Sequence, residues 1–199
     1  VIPTHWVLAT SNRGKVAELT ALLAEAALPI QIRAQDELGV AAPVETGATF
    51  VENALLKARH AAQTTGMPAI ADDSGLSVAA LGGAPGVHSA RFAGAAADDS
   101  ANVAKLLAAL EGKDDRAARF HCVLVALERP DEPAPLIAVG SWSGTITHAP
   151  AGGGGFGYDP VFFDATLGRT AAQLPAATKN RVSHRGRALR ALVELLKNR

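Results

Sequence analysis

The chain has 199 residues, more than the roughly 150 of a typical domain and fewer than two independent cores require, so one domain over residues 1–199 with two lobes is expected. Apolar residues make up 48% and charged residues 19%, with a mean hydropathy of +0.14, which allows a large core and excludes a disordered segment. Nineteen Lys plus Arg offset nineteen Asp plus Glu, which removes the electrostatic argument for a broad nucleic-acid or anionic-membrane surface; any basic site is local.

The opening Val1 to His5 lacks the basic and apolar regions of a signal peptide, and a Val in first position points to a processed start. Trp6 to Ala9 is a short apolar run ending in Thr10-Ser11-Asn12-Arg13-Gly14-Lys15. Beyond it Val16, Leu19, Leu22, Leu23 and Ala26 recur at helical spacing, giving strand, polar turn and helix. Leu28-Pro29 closes that helix, and Ile30, Ile32 and Ala34 alternate as a second strand. A loop follows from Gln35 to Ala48. Thr49-Phe50-Val51-Glu52 has the form of a capping box ahead of a helix that runs to about Thr65 and stops at Gly66.

Pro68 to Ala71 reads as a buried strand running into Asp72-Asp73-Ser74-Gly75, which places two carboxylates at a strand end, where α/β sites usually lie. Gly82 to Gly86 is a loop, and Asp99 to Leu110 a helix with Val103, Leu106, Leu107 and Leu110 on one face. Ala118 to Leu127 and Leu136 to Ile146 are long extended runs separated by Pro130, Pro133 and Pro135, and they form the second lobe. Gly152 to Gly157 reads as a flexible loop. Pro160 to Phe163 is a short extended run, and Ser183 opens a final helix with Leu189, Leu192, Val193 and Leu196 on its core face. No apolar run approaches the ~18 residues of a membrane span. The single Cys122 excludes an internal disulfide and a multi-cysteine zinc site, and the cytoplasm is the expected compartment.

Several segments carry candidate chemistry. A strand, a small polar turn and a helix present unpaired amides and a positive helix end, a geometry suited to phosphate, with Lys15 as a mobile charge. The same segment also reads as an ordinary helix capped by Asn12, with Lys15 in solvent. Gly152, Gly154 and Gly157 form G-x-G-x-x-G, but an extended aromatic run follows instead of a helix, so the dinucleotide fingerprint is rejected. Phe156 and Tyr158 beside it either stack on a base or anchor the loop to the core.

Asp72 and Asp73, with Glu45 and Glu52 upstream, are candidate ligands for a divalent metal. Mg²⁺ takes one or two carboxylates and fills its remaining positions with water and substrate phosphate. Adjacent strand residues alternate in face, so one of the two acids is expected to enter the site, and a solvated turn is the competing reading. At the last helix Lys179, Ser183, His184 and Arg185 converge on a carbonyl or phosphate, or serve as N-cap and solvated first turn. The remaining histidines have no zinc-ligand spacing, and Cys122 fits a core position.

Taken together, Thr10 to Lys15, Phe50-Val51-Glu52-Asn53-Ala54, Ala71-Asp72-Asp73-Ser74-Gly75-Leu76, Gly82 to Gly86, Gly155-Phe156-Gly157-Tyr158-Asp159-Pro160 and Ser183-His184-Arg185 resemble the inosine triphosphate pyrophosphatase family, also called Ham1-like. The resemblance covers nearly the whole chain. It implies a two-lobed α/β fold with a central mixed sheet flanked by helices and a nucleotide cleft between the lobes, and a homodimer. The activity it implies is Mg²⁺-dependent hydrolysis of the deaminated purine nucleoside triphosphates ITP, dITP and XTP to the monophosphate and pyrophosphate.

By the same resemblance, Thr10, Ser11, Asn12, Arg13, Gly14 and Lys15 hold the triphosphate. Asp73 is the proton acceptor and a metal ligand, and Glu45 a second metal ligand. Ser74, Phe156, Gly157, Tyr158, Asp159, Lys179, His184 and Arg185 bind substrate, chiefly around the base. Ser11 stands where many members have glycine, so a positive φ there would strain the phosphate loop. A donor such as Arg185 or His184 would favour a 6-oxo purine, because ATP would bring a second donor against it and one buried unsatisfied polar group costs roughly 1–3 kcal/mol. GTP shares the 6-oxo group, so its exclusion needs a separate penalty against its 2-amino group. Two alternatives remain: a pyrophosphatase acting on other modified nucleotides, and a non-catalytic nucleotide-binding module.

Overall fold

The structure, a computed structural model, describes residues 2–96 and 98–199; Val1, read as a processed start, lies outside them. Its strands are β1 (His5–Leu8), β2 (Gln31–Ala34), β3 (Ala69–Val78), β4 (Ala117–Leu127), β5 (Leu136–Ile146), β6 (Phe162–Asp164) and β7 (Arg169–Thr170). Its α-helices are α1 (Arg13–Glu25), α2 (Phe50–Thr65), α3 (Asp99–Ala109), α4 (Ala176–Val182) and α5 (His184–Lys197). The strands form one seven-stranded sheet in the order β2-β1-β3-β4-β5-β6-β7. β1 runs parallel to β2 and β3, whereas β5, β6 and β7 pair antiparallel, so the sheet is mixed and the fold is α/β.

Local chemistry sets the helix ends. Asn12 caps α1, its side-chain oxygen accepting from Gly14 N at 2.9 Å and Lys15 N at 3.2 Å. Thr49 and Glu52 form the expected capping box on α2: Thr49 Oγ1 accepts from Glu52 N at 3.3 Å, and Thr49 N donates to the Glu52 carboxylate at 2.8 Å. Gly66 ends that helix at φ +67°.

The chain divides into two compact units. The first comprises Val1–Asp73, Cys122–Gly140 and Arg187–Arg199. On one face of its strands Trp6, Leu8, Ile70, Cys122, Leu124 and Ala138 pack with Leu19 and Leu23 of α1 and with Leu189, Leu192 and Leu196 of α5. On the other face Val7, Ala69, Ala71, Val123 and Val125 pack with Ala54, Ala58, Ala61 and Ala62 of α2. Side chains in a strand alternate, so Asp72 follows Ile70 to the α1 face and Asp73 follows Ala71 to the α2 face. The second unit comprises Ser74–His121 and Ser141–Gly186. Its core gathers Leu76, Val78, Leu106, Leu110, Phe120, Trp142, Tyr158 and Phe162. Phe120 and Phe162 lie 4.5 Å apart by ring centroids, and Trp142 Nε1 donates to Asp164 Oδ2 at 2.7 Å.

Four local expectations change. Asp72 to Gly75 lie inside β3 instead of in a turn at its end, because Leu76 and Val78 continue the buried strand and Leu76 N donates to Ser89 Oγ at 2.8 Å. Lys179, read as lying at the last helix, sits within a separate short helix α4, which starts after Pro175. Ser11 carries no positive φ: among the described residues Ala27 is the non-glycine that does, so the turn before α1 accepts serine without backbone strain. The glycine run is exposed but tied at two points: Gly154 N donates to Ala172 O at 3.0 Å, and a Cβ on Gly152 would lie 2.7 Å from the Ala172 backbone. Among the described residues no helix is long and apolar enough to cross a membrane.

Candidate active site

In the first unit the two acids of β3 have separate cations. On the α1 face Lys15 Nζ meets both Asp72 carboxylate oxygens, at 2.7 and 2.8 Å, with Asp72 only 5% exposed. Lys15 therefore does not stand free in solvent; its charge is held at the first turn of α1. On the α2 face Lys57 Nζ donates to Asp73 Oδ1 at 2.8 Å and to Glu45 Oε1 at 2.9 Å. Asn53, one helical turn before Lys57, donates to Asp73 Oδ2 at 3.3 Å while its own oxygen accepts from Gly47 N at 2.8 Å. Helix α2 thus fixes both the acid in β3 and the loop that carries Glu45.

Electrostatics follows from one lysine among three acids. Burial raises the Asp73 pKa and Glu45 adds to that, while Lys57 and Asn53 pull it down; the outcome lies above the ordinary carboxylate value. Burial works against the Lys57 charge, yet Asp73, with Asp72 and Glu45, holds its pKa above the usual lysine value. Asp73 is therefore a better proton acceptor than a solvated aspartate. The convergence of the Asp73 and Glu45 carboxylates on one cation is also the hard-oxygen pair that Mg²⁺ takes. Among the described residues no group of three or more His, Cys, Asp or Glu is placed to hold a metal.

The turn before α1 is preorganised. Thr10 is buried, and its Oγ1 accepts from Asn12 N at 3.1 Å. Ser11 and Gly14 lie exposed on either side of the Asn12 cap. Arg13 turns away to Asp36, at 3.1 Å, and Glu37.

The second unit holds the aromatic loop, α4 and the first residues of α5, His184 to Gly186. Tyr158 is 4% exposed and its hydroxyl donates to Ser89 O at 2.7 Å, so it is the anchor; burial, with Asp99 nearby, pushes its hydroxyl pKa well above the ordinary value. Phe156 is 53% exposed, with Lys179 Nζ 4.8 Å and the Arg185 guanidinium carbon 5.3 Å from its ring centroid. Asp159 is buried, paired with Lys179, and accepts from Phe156 N at 2.9 Å. A Cβ on Gly155, at φ +75°, would collide with that carboxylate, so only glycine fits there. Gly157 N donates to Asp99 Oδ2 at 2.6 Å. His184 is buried with its ring 4.6 Å from Phe120 and nearly parallel to it, and Ser183 Oγ accepts from Gly186 N at 3.2 Å as the α5 cap. Ser74 is half-buried in β3.

Sequence reasoning gave no role to Lys57, Asn53 or Asp99. Asn53 and Lys57 are four residues apart and so share a face of a helix already marked by its capping box, the one signal that pairs them. Nothing in the spacing joins either to Asp73.

A family model described as the Ham1 family matches residues 6–195. The dITP/XTP pyrophosphatase of Pectobacterium atrosepticum is 59% identical over 194 residues, 96% of this chain and 98% of that protein. The dITP/XTP pyrophosphatase of Escherichia coli (strain K12) is 56% identical over 194 residues, again 96% of this chain and 98% of that protein. The solved structure of a HAM1 protein from Coxiella burnetii is similar at a TM-score of 0.95 and 49% identity, covering 99% of this chain and 100% of that one. With the family pattern matched almost end to end and relatives above half identity at nearly full length, this chain belongs to the Ham1 family.

Proposed function

We propose that this chain hydrolyses deaminated purine nucleoside triphosphates, ITP, dITP and XTP, to the monophosphate and pyrophosphate, and so clears them from the nucleotide pool. The observation that carries this reading is the full-length identity to proteins named dITP/XTP pyrophosphatase. The paired acids and the exposed aromatic ring supply the matching chemistry. Residues 1–199 act as one catalytic domain, in the cytoplasm and as a homodimer, with no nucleic-acid or membrane partner.

Asp73 and Glu45, whose carboxylates meet on Lys57, are the residues that would hold Mg²⁺. When bound, the metal supplies charge neutralisation at the phosphates. Thr10 to Gly14 present the first turn of α1 to the triphosphate, and Lys15, steadied by Asp72, adds a positive charge there. The Asp73 carboxylate mainly orients the water that attacks the α phosphorus, and accepting the proton of that water is its secondary role. Pyrophosphate leaves against the positive end of α1.

On the base side Phe156 offers its exposed ring for stacking, while Arg185 and His184 donate to the 6-oxo group. Lys179 and Asp159 hold the loop at Phe156, Gly157 and Tyr158 are its fixed backbone, and Ser74 continues from Asp73 towards substrate. The test is product identity: ITP with Mg²⁺ is expected to yield inosine monophosphate and pyrophosphate in equal amounts. Inosine diphosphate with single phosphate would contradict the reading, and binding without turnover would leave a nucleotide-binding module.

A further inference from the structure

Helix α3 begins with two aspartates that do different work. Asp98 is the cap, its side chain accepting from Ala101 N at 2.8 Å. The Asp99 carboxylate turns to the aromatic loop and accepts from Gly157 N at 2.6 Å, joining residues 58 apart in sequence. Gly157 separates the exposed Phe156 from the buried Tyr158, so this bond holds the peptide from which the exposed ring projects. Asp159 holds the preceding amide from within the loop, whereas Asp99 ties the loop to a helix outside it.

The same helix also supports the other side of the turn. Asn102 accepts from Ala93 N at 2.8 Å and donates to Ala90 O at 3.1 Å, fixing the segment whose Ser89 carbonyl receives the Tyr158 hydroxyl. α3 therefore braces the turn twice, directly through Asp99 and indirectly through Asn102 and Ser89.

We propose that Asp99 is a positioning residue for base recognition: its carboxylate fixes the Phe156–Gly157 peptide so that the open Phe156 ring meets the purine. The assignment deepens the proposed function and rests on its reading of Phe156 as the base platform. A carboxylate accepting from a backbone amide makes a charge-assisted bond, and its loss is expected to raise KM for ITP about tenfold.

The test compares wild type, Asp99→Ala and Asp99→Asn in the full chain, measuring kcat and KM for ITP with Mg²⁺ and the inhibition constant of pyrophosphate. Pyrophosphate engages the phosphate side alone, so a base-side defect leaves its inhibition constant unchanged. The expected result is a raised KM in D99A with kcat and pyrophosphate inhibition near wild type, and recovery in D99N, which keeps an acceptor oxygen. An unmoved KM in D99A overturns the assignment. So do a parallel weakening of pyrophosphate binding and a loss of the folded state on melting, either of which makes Asp99 a structural residue. An inactive wild type overturns the proposed function and this assignment with it, whereas an active wild type beside an unaltered D99A overturns this assignment alone.

Discussion

The two units treat their polar groups in opposite ways. In the first, carboxylates and lysines are matched side chain to side chain on a strand and two helices, with Asp72 on Lys15 and Asp73 with Glu45 on Lys57. In the second, the carboxylates Asp99 and Asp159 hold loop amides, and the group left open is an aromatic ring. Charge handled by rigid elements suits the phosphate chemistry, which needs fixed positions, and a ring presented from a braced loop suits recognition of a flat base. Substitutions in the first unit are therefore expected to alter turnover and stability, and those in the second to alter substrate affinity.

The largest effect breaks the first unit's chemistry. Asp73→Asn is expected to lower kcat about a thousandfold or more if Asp73 positions metal and water as proposed, while calorimetry still detects nucleotide binding. Near-normal turnover would contradict the role given to Asp73. Lys57→Met removes the cation from two carboxylates and is expected to cost about 3 kcal/mol in urea unfolding, together with a loss of kcat. A stability unchanged from wild type would show that the acids do not depend on Lys57.

Phe156→Ala sharpens the contrast from the other side. It removes a stacking platform worth about 1–3 kcal/mol, so KM for ITP is expected to rise about tenfold or more with kcat little changed and the melting temperature held. The smallest effect is a pH effect at the first turn of α2. Hydrogen bonds from the Thr49 hydroxyl and amide lower the pKa of Glu52 from its ordinary 4.5. Its contribution to stability is therefore present above that value and lost as pH falls through the lowered one. Melting curves are expected to show wild type ahead of Glu52→Gln at neutral pH and the gap closing in acid; a gap independent of pH would contradict the capping role of the charge.

The fold was legible wherever the signal is local. The Thr49–Glu52 box, the Gly66 stop and the long extended runs of β4 and β5 are written in adjacent residues and form as read, but those two strands are not a second lobe: Cys122–Gly140 belongs to the first unit. The interior position of Asp72 and Asp73 was not legible. Asp-Asp-Ser-Gly carries turn chemistry, and what keeps it in a strand is the buried continuation at Leu76 and Val78, while a lysine from α1 and one from α2 pair the two acids. The division between Phe156 and Tyr158 was equally hidden, since both are aromatic and two residues apart. The Ser89 carbonyl, reached across 69 residues, decides which one is buried. The site residues drawn from the family resemblance fall into two local groups, yet Lys57 and Asp99, which organise them, are visible only in three dimensions.

The most direct measurement is Mg²⁺-dependent release of pyrophosphate, distinguished from single phosphate, from ITP, XTP, GTP and ATP at equal concentration. Pyrophosphate from ITP and XTP, with GTP and ATP nearly inert, is the result expected from the proposed function. Inert ITP and XTP with a folded, metal-supplied protein, or equal release from all four nucleotides, would contradict it.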